Sequence, residues 1–174
     1  MADRFRELAE AYRDRIYSYA LYSLRRPEDA EDVTQEVLIK LWQNTERIDT
    51  ERAGAWVMRV TRNAVIDVTR RRKSRASVIA EDVDVDIAAN YAGAESDAEE
   101  RVESREFRES LEAALADLSD PYRSILVMRE VQEMSYSEIV DAMEMPLNTV
   151  KVYLHRGRKM LREALKDKYK RNVV

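Results

Sequence analysis

Residues 135–161, SYSEIVDAMEMPLNTVKVYLHRGRKML, predict a short helix, a tight turn and a longer basic helix. Ser135 and Glu138 have the spacing of a capping box, in which each side chain satisfies a free backbone N–H at the start of a helix. Pro146 interrupts the helical pattern because proline disfavours the helical conformation in the residue before it and has no N–H to donate. A short helix packed across a longer cationic one is the arrangement of a helix-turn-helix.

The longer helix of this stretch has an apolar face and a basic face. Val150, Leu154 and Leu161 recur at helical spacing and are expected to face inward. The outward face then carries Lys151, Arg156, Arg158, Lys159 and Arg162. In a helix-turn-helix this second helix enters the DNA major groove. The stretch also fits a solvated helical hairpin whose basic residues serve solubility, and its turn lacks the glycine that is often found there.

The composition favours an all-α protein without enzyme activity. The 174 residues include three glycines and three prolines, which leaves little turn chemistry. There is no cysteine, so disulfides, thiolate zinc sites and cysteine nucleophiles are excluded. Glycine-rich phosphate loops and the serine elbow of hydrolases are also absent. We therefore expect no cofactor, metal or small-molecule substrate, and we expect His155 to be a surface or DNA-facing residue.

The sequence predicts no membrane insertion. No apolar run approaches the roughly 20 residues that are needed to span a bilayer. The first residues, MADRFRELAEAYRDR, are amphipathic and mixed in charge, without the apolar core of a signal peptide.

Charge alternates along the chain, and the net charge of −4 hides the alternation. Residues 59–75 contain seven basic side chains against Asp67 alone. Residues 81–106 contain ten acidic side chains against Arg101 and Arg105, and the C-terminal helix is basic again. Two cationic blocks therefore flank an acidic connector, a distribution that suits a nucleic-acid-binding protein better than the net charge suggests.

Three helices are predicted in the N-terminal half, over Asp3–Leu24, Pro27–Asn44 and Glu51–Lys73. Each has apolar residues at three- and four-residue intervals, such as Ile16, Val37 and Val57, which predicts a buried face. Pro27 suits the first position of a helix, and Thr50 is the expected cap of the third helix. The third helix ends in a run of basic residues denser than capping requires.

The chain is predicted to have two domains, residues 1–73 and 96–174, joined by an acidic linker over residues 74–95. Helical periodicity disappears in the linker, so we expect little stable structure there. Ser96 and Glu99 have the spacing of a second capping box, which opens a helix to about Asp117. A further helix over Pro121–Val131 is expected to pack beneath the helix-turn-helix. The sequence leaves the relative placement of the two domains open.

Four segments of the chain carry a family resemblance. They are AEDVTQEVLIKLW at residues 30–42, AWVMRVTRNAVIDVTRRR at 55–72, LSDPYRSILVMREVQEMSYSEI at 118–139 and NTVKVYLHRGRKMLRE at 148–163. With their order, their spacing and the acidic connector, the chain resembles the extracytoplasmic-function (ECF) sigma factors of bacterial RNA polymerase over nearly its whole length. The resemblance implies an all-α fold of two small domains, sigma region 2 and sigma region 4, with the helix-turn-helix in the second.

The resemblance implies contact residues for polymerase and for the minus-ten element. In such factors, the segment like residues 30–42 docks on the clamp helices of the largest polymerase subunit, which assigns that role to Asp32, Gln35, Glu36, Leu38 and Trp42. The segment like residues 55–72 recognises and helps to open the minus-ten element, which assigns that role to Arg59, Arg62, Asn63, Asp67, Arg70 and Arg71. Asn63 matches the asparagine of the family's base-capture pocket, whose rim would be the loop Ile48–Gly54. Capturing an unstacked base needs such a prepared pocket.

The resemblance also implies that the C-terminal domain reads the minus-thirty-five element. The residues assigned to it are Asn148, Thr149, Lys151, Val152, His155, Arg156, Arg158 and Lys159. Asn148 stands where glycine or serine is frequent in the family, which leaves the base preference open. Gly157 replaces the more usual alanine, at an expected cost of up to about 1 kcal/mol of helix stability.

As a member of this family, the protein would be a cytoplasmic factor that lends promoter specificity to a polymerase. Its partners would be core RNA polymerase, promoter DNA and an anti-sigma factor, and its role would lie in a stress or envelope response. Two modest DNA-binding surfaces gain affinity when the polymerase fixes their separation. We expect the free protein to bind promoters poorly because its acidic connector competes with DNA for the basic surfaces.

Two other functions remain open on the sequence. One is an independent helix-turn-helix DNA-binding transcriptional regulator that acts as a dimer without polymerase. Its N-terminal half would then need a ligand pocket or a dimer seam. The other is an adaptor whose helices bind only protein partners, which specific DNA crosslinking at Asn63 or Lys151 would argue against.

Overall fold

All regular secondary structure in the described residues is helical, which confirms the all-α prediction. A computed structural model describes residues 2–78 and 98–171, with side chains for residues 2–75 and 105–166. The elements are α1 (Ala2–Leu24), α2 (Pro27–Asn44), a 3₁₀ turn (Thr50–Arg52), α3 (Ala53–Val78), α4 (Ala98–Asp117), α5 (Tyr122–Leu126), a π turn (Val127–Val131), α6 (Tyr136–Met143) and α7 (Leu147–Arg171). Within these residues, no helix combines the length and the apolarity needed to cross a bilayer.

α1, α2 and α3 pack against one another and form the N-terminal half. The buried side chains at their centre include Ile16, Tyr19, Val37, Leu41 and Val57. Because these residues recur at three- and four-residue intervals, each helix turns one apolar face inward, as predicted. α2 begins at Pro27 with acidic residues in its first turn, where carboxylates are stabilised by the helix dipole.

The prediction that Thr50 caps the third helix is wrong. The carboxylate of Asp49 accepts a hydrogen bond from the Glu51 N–H at 3.0 Å and opens the 3₁₀ turn that precedes α3. An aspartate side chain readily reaches the N–H two residues further on, which gives it the advantage over its neighbour. The Thr50 hydroxyl instead accepts a hydrogen bond from Arg4 Nη2 at 3.3 Å.

α3 is longer than predicted. It continues to Val78, beyond the predicted end at Lys73, so the start of the predicted linker is helical. Arginine, lysine and alanine have high helix propensity, which extends the helix through the basic run. Residues 79–95 of the predicted linker lie outside the described residues, as does Ser96, the expected cap of α4. The predicted end of α4 at Asp117 is confirmed.

The helix-turn-helix formed by α6 and α7 is confirmed, together with its capping box. The Glu138 N–H donates to Ser135 Oγ at 3.2 Å, and the Ser135 N–H donates to Glu138 Oε2 at 2.7 Å. Glu144 ends α6 in the left-handed conformation, with φ 52° and ψ 43°, and its N–H donates to Val140 O. A residue with a side chain loses about 1–2 kcal/mol in this conformation. The turn therefore forms without glycine, at an energetic cost.

Gly157 lies on the inward face of α7, against α5. A Cβ atom at this position would lie 3.1 Å from Leu126 Cδ1 and 3.3 Å from Leu126 Cγ. Carbon atoms in packed interiors are normally separated by about 3.5–4.0 Å. The glycine therefore lets α7 lie close to α5, and this packing offsets the loss of helix propensity expected from the sequence.

The N-terminal half packs against the C-terminal half, α4 to α7. α3 lies against α6, and α1 lies against α4 and the π turn. Buried apolar side chains of both halves form one continuous cluster. Polar contacts also cross the interface, since Arg15 Nε donates to Gln132 Oε1 at 3.3 Å and Arg123 Nη1 donates to Ser23 O at 3.1 Å. The two halves therefore adopt a closed arrangement.

Candidate polymerase and DNA surfaces

An exposed apolar patch lies where α2 meets the start of α1. Ile39 is 58% exposed and Trp42 is 46% exposed, although large apolar side chains are usually buried. The Trp42 ring meets the Phe5 ring edge-on, with centroids 5.0 Å apart and an interplanar angle of 90°. A cleft of about 440 Å³ beside it is lined by Phe5, Ala9, Leu38 and Trp42, among others. Exposed apolar patches are typical of docking surfaces, which makes this patch a candidate for one.

Polar residues continue this patch along α2. Asp32 and Gln35 are exposed and lie at helical spacing from Ile39, so they share its side of the helix. Glu36 is half-buried, and its Oε1 lies 2.7 Å from Lys40 Nζ. We call the exposed row Asp32, Gln35, Ile39 and Trp42 the α2 stripe.

The sequence analysis missed two members of this surface, Ile39 and Phe5. The signal for Ile39 was present, since it is an apolar residue four positions after Gln35 on an otherwise polar face. Phe5 belongs to the apolar residues of α1, and its contact with Trp42 depends on how α1 and α2 pack. Leu38, which was assigned to polymerase binding, is half-buried beneath the patch.

The residues predicted for the minus-ten element lie along one broad side of α3. Asn63, Arg70 and Arg71 are exposed, whereas Arg59, Arg62 and Asp67 are half-buried. Asp67 holds two of the cations in place: its Oδ1 accepts from Arg70 Nη2 at 2.9 Å, and its backbone oxygen accepts from Arg71 Nε at 3.3 Å. α3 therefore presents oriented guanidinium groups beside an exposed amide.

Two arginines of α3 are engaged by carboxylates of the C-terminal half. Arg59 Nη1 lies 2.5 Å from Glu144 Oε1, in the turn of the helix-turn-helix. Arg62 Nη2 lies 2.5 Å from Asp120 Oδ2, just before α5. These pairs join residues that are far apart in the sequence and depend on the closed arrangement of the two halves.

Arg72 belongs to the same basic run but points into the protein. Its Nη1 donates to Leu24 O at 3.4 Å, and its guanidinium pairs with Asp29. Burial, together with the nearby charge of Arg26, lowers the pKa of Arg72 from its ordinary value. Arg72 therefore fixes α3 to the corner between α1 and α2, and the basic run exposes less charge than its sequence suggests.

A cleft of about 680 Å³ opens beside the loop Ile48–Gly54. It lies between the two halves, and the side chains along it include Arg47, Trp56, Arg59, Val140, Glu144, Met145 and Pro146. Asn63 does not line this cleft; it is exposed about one turn beyond Arg59 on α3. The structure therefore does not bring Asn63 and its predicted rim together in one cavity.

The residues predicted for the minus-thirty-five element lie along α7. The exposed members are Asn148, Lys151, Val152, His155, Arg156, Arg158 and Lys159, and Thr149 is half-buried. Val150 and Leu154 are buried beneath them, as predicted. Val152 is 47% exposed and adds an apolar contact surface among the cations.

The basic face of α7 continues towards its C-terminal end. A shallow groove of about 390 Å³ is lined by His155, Arg158, Lys159, Arg162, Glu163 and Lys166. Arg158 Nη2 lies 2.6 Å from Glu130 Oε1 in the π turn, and both side chains remain close to half exposed. A cationic groove on an exposed helix suits contact with a phosphate backbone.

Both halves of the chain match sigma factor families. The family model of sigma-70 region 2 matches residues 8–75, and that of sigma-70 region 4 matches residues 108–161. The ECF RNA polymerase sigma factor SigW of Bacillus subtilis is 31% identical over 169 residues, which cover 95% of this chain and 90% of that relative. The chain belongs to the ECF sigma factors. A further relative, the ECF RNA polymerase sigma factor SigM of Bacillus subtilis, is 27% identical over 96% of each chain.

Two solved structures share the fold, and one of them is a sigma factor. The sigma factor RpoE of Bartonella quintana, solved in complex with the anti-sigma factor NepR, matches 93% of this chain and 96% of its own, with a TM-score of 0.73 and 20% identity. CnrH, solved in complex with the cytosolic domain of CnrY, matches 94% of this chain and 88% of its own, with a TM-score of 0.66 and 18% identity. At these identities the likeness is one of fold.

As an ECF sigma factor, the protein is a transcription initiation factor that binds core RNA polymerase and directs promoter-specific initiation; it is not an enzyme. The region 2 match covers the half in which an independent regulator would need a ligand pocket or a dimer seam. This match favours the sigma factor over the independent regulator.

Proposed function

We propose that three surfaces divide the work of this ECF sigma factor. The α2 stripe binds core RNA polymerase, α3 binds the minus-ten element, and α7 binds the minus-thirty-five element. The observation that carries the proposal is that the assigned residues lie on three separate helices, largely exposed and with different chemistry. The stripe is apolar at its centre, whereas the other two surfaces are cationic.

On the α2 stripe, Trp42 and Ile39 are the anchors that bury apolar surface against polymerase. Such anchors carry most of the binding energy of an interface, about 2 kcal/mol or more each. Asp32 and Gln35 supply polar contacts at the edge of the patch. Leu38, with Phe5, supports Trp42 from below, and the remaining assigned residue, Glu36, borders the stripe.

On α3, the arginines hold the DNA backbone while the amide of Asn63 contacts a displaced base. The backbone contacts are assigned to Arg59, Arg62, Arg70 and Arg71. Guanidinium groups bind phosphate through paired N–H donors, and amides can pair with the edge of an unstacked base. Asp67 does not contact DNA in this scheme but orients Arg70 and Arg71 through the contacts described above.

On α7, the first turns contact bases and the later turns contact the backbone. Asn148 and Thr149 lie at the N-terminal end, which approaches base edges in helix-turn-helix proteins. The side chains that project from the next turns are Lys151, Val152, His155 and Arg156. Val152 suits contact with a thymine methyl group, whereas Arg158 and Lys159 suit phosphates.

We further propose a protein inhibitor and a location. The two solved structures compared above each contain a partner protein, which in one is named an anti-sigma factor. An anti-sigma factor for this chain would cover its polymerase- and DNA-binding faces. The protein would act in the cytoplasm, where polymerase and promoter DNA are found.

The experiment that tests this proposal measures binding to purified bacterial core polymerase and transcription from genomic promoter fragments. We expect a stable complex that initiates at discrete promoters. Trp42→Ala should weaken the complex about thirtyfold, as expected for an aromatic anchor. Gln35→Ala should have a smaller effect in the same direction because it lies at the edge of the patch.

Asp14→Ala is the matched control for these variants, because Asp14 is exposed on α1 and does not line the cleft beside Trp42. It should leave the affinity for core polymerase unchanged. If the chain failed to associate with core polymerase while binding specific duplexes by itself, the polymerase surface would be misassigned.

A further inference from the structure

We propose that the C-terminal half blocks the minus-ten surface of the free protein by placing its own carboxylates where promoter phosphates would bind. Glu144 occupies Arg59, and Asp120 occupies Arg62. The inference rests on the proposed function in taking these two arginines as DNA contacts. It adds a regulatory device that is built into the sigma factor and needs no other protein.

The two ion pairs and DNA binding use the same donors. Both carboxylate oxygens lie 2.5 Å from a guanidinium nitrogen. A carboxylate and a phosphate accept from the same N–H groups at the edge of a guanidinium. An Nη group that is held this closely by a carboxylate is therefore not available to DNA. Arg62 has a side chain only 19% exposed, and its Nε is buried without a hydrogen-bond partner among the described residues. Losing Asp120 in the closed form would therefore leave a poorly solvated cation.

Asp120 is held in place by a polar network that crosses the interface. Its Oδ1 accepts a hydrogen bond from Ser124 Oγ, while its Oδ2 faces Arg62. Ser124 also hydrogen-bonds the side chain of Tyr19, which is 1% exposed at the centre of α1. The carboxylate is therefore anchored to both halves and does not sample solvent freely.

Glu144 owes its position to the turn of the helix-turn-helix. Its left-handed backbone conformation is unfavourable for a residue with a side chain, and strained residues persist where the surroundings hold them. The turn places the Glu144 carboxylate on Arg59, which compensates part of the strain. A glycine at this position would relax the turn but could not form the pair.

The same turn also covers the minus-ten surface sterically. Met145 and Pro146 face Trp56 across the cleft of about 680 Å³ between the two halves. A DNA strand that approached Arg59 from this side would meet the turn first. Both charge and shape therefore oppose DNA binding at this surface while the halves remain together.

The source of the blocking charge differs from the one expected on the sequence. The sequence assigned the competition with DNA to the acidic connector. The carboxylates that pair with Arg59 and Arg62 instead belong to the folded C-terminal half. Residues 79–97 lie outside the described residues.

The closed form leaves the polymerase surface accessible. Ile39 and Trp42 are exposed although the halves are packed together. Core polymerase could therefore capture the closed protein through the α2 stripe. Binding the two halves at separate positions would then pull Glu144 and Asp120 away from α3, so the minus-ten surface would open only on the polymerase.

The first test measures the affinity of the free, full-length chain for a fluorescent single-stranded DNA that carries a minus-ten element. Glu144→Gln should tighten binding about fivefold, and adding Asp120→Asn should tighten it further. Asp141→Asn is the matched control: it removes one exposed carboxylate from α6, at the same cleft, that forms no ion pair with the described residues. Unchanged affinity in the double variant, or an equal gain in the control, would overturn the proposal.

A second readout follows the closed form without DNA. Because the sequence has no cysteine, Gln43→Cys and Ser137→Cys provide the two sites for spin labels, on α2 and α6. We expect one short distance in the free protein and a longer one in the Glu144→Gln, Asp120→Asn background and in the polymerase complex. An identical distance distribution in all three samples would overturn the proposal.

Failure of the DNA contacts themselves is detected separately. Arg59→Ala and Arg62→Ala are measured in the polymerase holoenzyme, in which the proposal separates the two halves. If these variants open promoters as well as the parent chain does, the proposed minus-ten assignment is wrong, and with it the reason for blocking. If they open promoters poorly while the double carboxylate variant binds DNA no better than the parent chain, the assignment stands and self-blocking is excluded.

Discussion

α3 and α7 are both long basic helices assigned to promoter DNA, but they differ in how available their cations are. On α3, Arg59 and Arg62 pair with carboxylates of the other half, and Arg72 pairs with Asp29 at the corner between α1 and α2. On α7, Lys151 and Lys159 are exposed and form no ion pair within the described residues. α3 is partly enclosed by protein, whereas the outer face of α7 is open to solvent.

The difference arises from where the neighbours of each helix lie. α3 packs against α1 and α2 on one side and against α6 on another. Three of the seven basic residues in 59–75 therefore pair with other elements, namely Arg59, Arg62 and Arg72. α7 packs inward against α4, α5 and α6, which leaves its outer face to solvent. A count of basic residues along a helix therefore overestimates the charge offered to DNA wherever a second protein surface lies against that helix.

The largest predicted effect is on the free energy of unfolding. It comes from truncating a buried side chain on the inner face of α7. Leu154→Ala should destabilise the protein by about 2–5 kcal/mol, because the cavity adds to the lost apolar burial. Val152→Ala, two residues away on the open face, should change the free energy of unfolding by less than about 0.5 kcal/mol. Urea unfolding followed by circular dichroism measures both. Equal effects would show that α7 is enclosed like α3.

A second effect concerns the interface that encloses α3. Burial raises the pKa of the Tyr19 hydroxyl above its ordinary value of 10.0, so folding favours the neutral form. The stability that this burial contributes is fully present below pH 10 and is lost as the pH rises from there towards the folded-state pKa. The free energy of unfolding should fall by up to about 1.4 kcal/mol per pH unit in that range.

Tyr19→Phe keeps the ring and removes the ionisable group, so it should remove most of this alkaline loss. Its measurement is the same unfolding experiment repeated between pH 8 and pH 11.5, with the parent chain alongside. A parallel pH dependence in the two proteins would assign the alkaline loss of stability to other groups and would contradict a role for the Tyr19 hydroxyl.

A third effect compares the two helices on DNA directly. In the free chain, Lys151→Ala should weaken binding to a minus-thirty-five duplex and lower the slope of log K against log salt by about 1, because one phosphate contact is lost. Arg59→Ala should leave that binding and its slope unchanged, since Arg59 is already paired with Glu144. Fluorescence anisotropy across a salt series measures both. A salt slope that fell equally in both variants would show that Arg59 contacts the same duplex, against both its pairing with Glu144 and its assignment to the minus-ten surface.

The smallest effect is expected at Gly157. Replacing glycine by alanine inside a helix normally stabilises it by about 1 kcal/mol. Because the new Cβ would lie 3.1 Å from Leu126 Cδ1, Gly157→Ala should give no gain and a loss of up to about 1 kcal/mol. In a Leu126→Val background, which shortens the opposing side chain, the same replacement should be less unfavourable. A full gain in the parent chain would mean that α5 and α7 tolerate a wider spacing.

Local features of the fold were predictable from the sequence because the interactions behind them join residues a few positions apart. The capping box of Ser135 and Glu138, the start of α2 at Pro27 and the buried face of Val150 and Leu154 are all of this kind. Local patterns also misled where two neighbouring residues competed, since Asp49 rather than Thr50 caps the turn before α3. The end of α3 was misplaced because the boundary was set at the end of the basic run, whereas residues 74–78 continue the helix.

For the candidate surfaces, the sequence predicted the helices and most of the residues. It did not predict which of their side chains are exposed and which are paired. The exposed position of Ile39 followed from helical spacing and could have been found. The contact of Phe5 with Trp42 could not, because it depends on the packing of α1 on α2. The same holds for the inward turn of Arg72, whose partners lie on α1 and α2.

By itself, the sequence determined the all-helical fold, the helix-turn-helix and the family to which the chain belongs. Periodicity, helix caps and family segments depend only on residues that are close together in the sequence. The tertiary structure alone decided that Glu144 and Asp120 occupy Arg59 and Arg62 and that Gly157 fits against Leu126. Ion pairs and close contacts of this kind join residues tens of positions apart. Their formation depends on how separate folded elements pack against one another, and a local sequence pattern does not specify that packing.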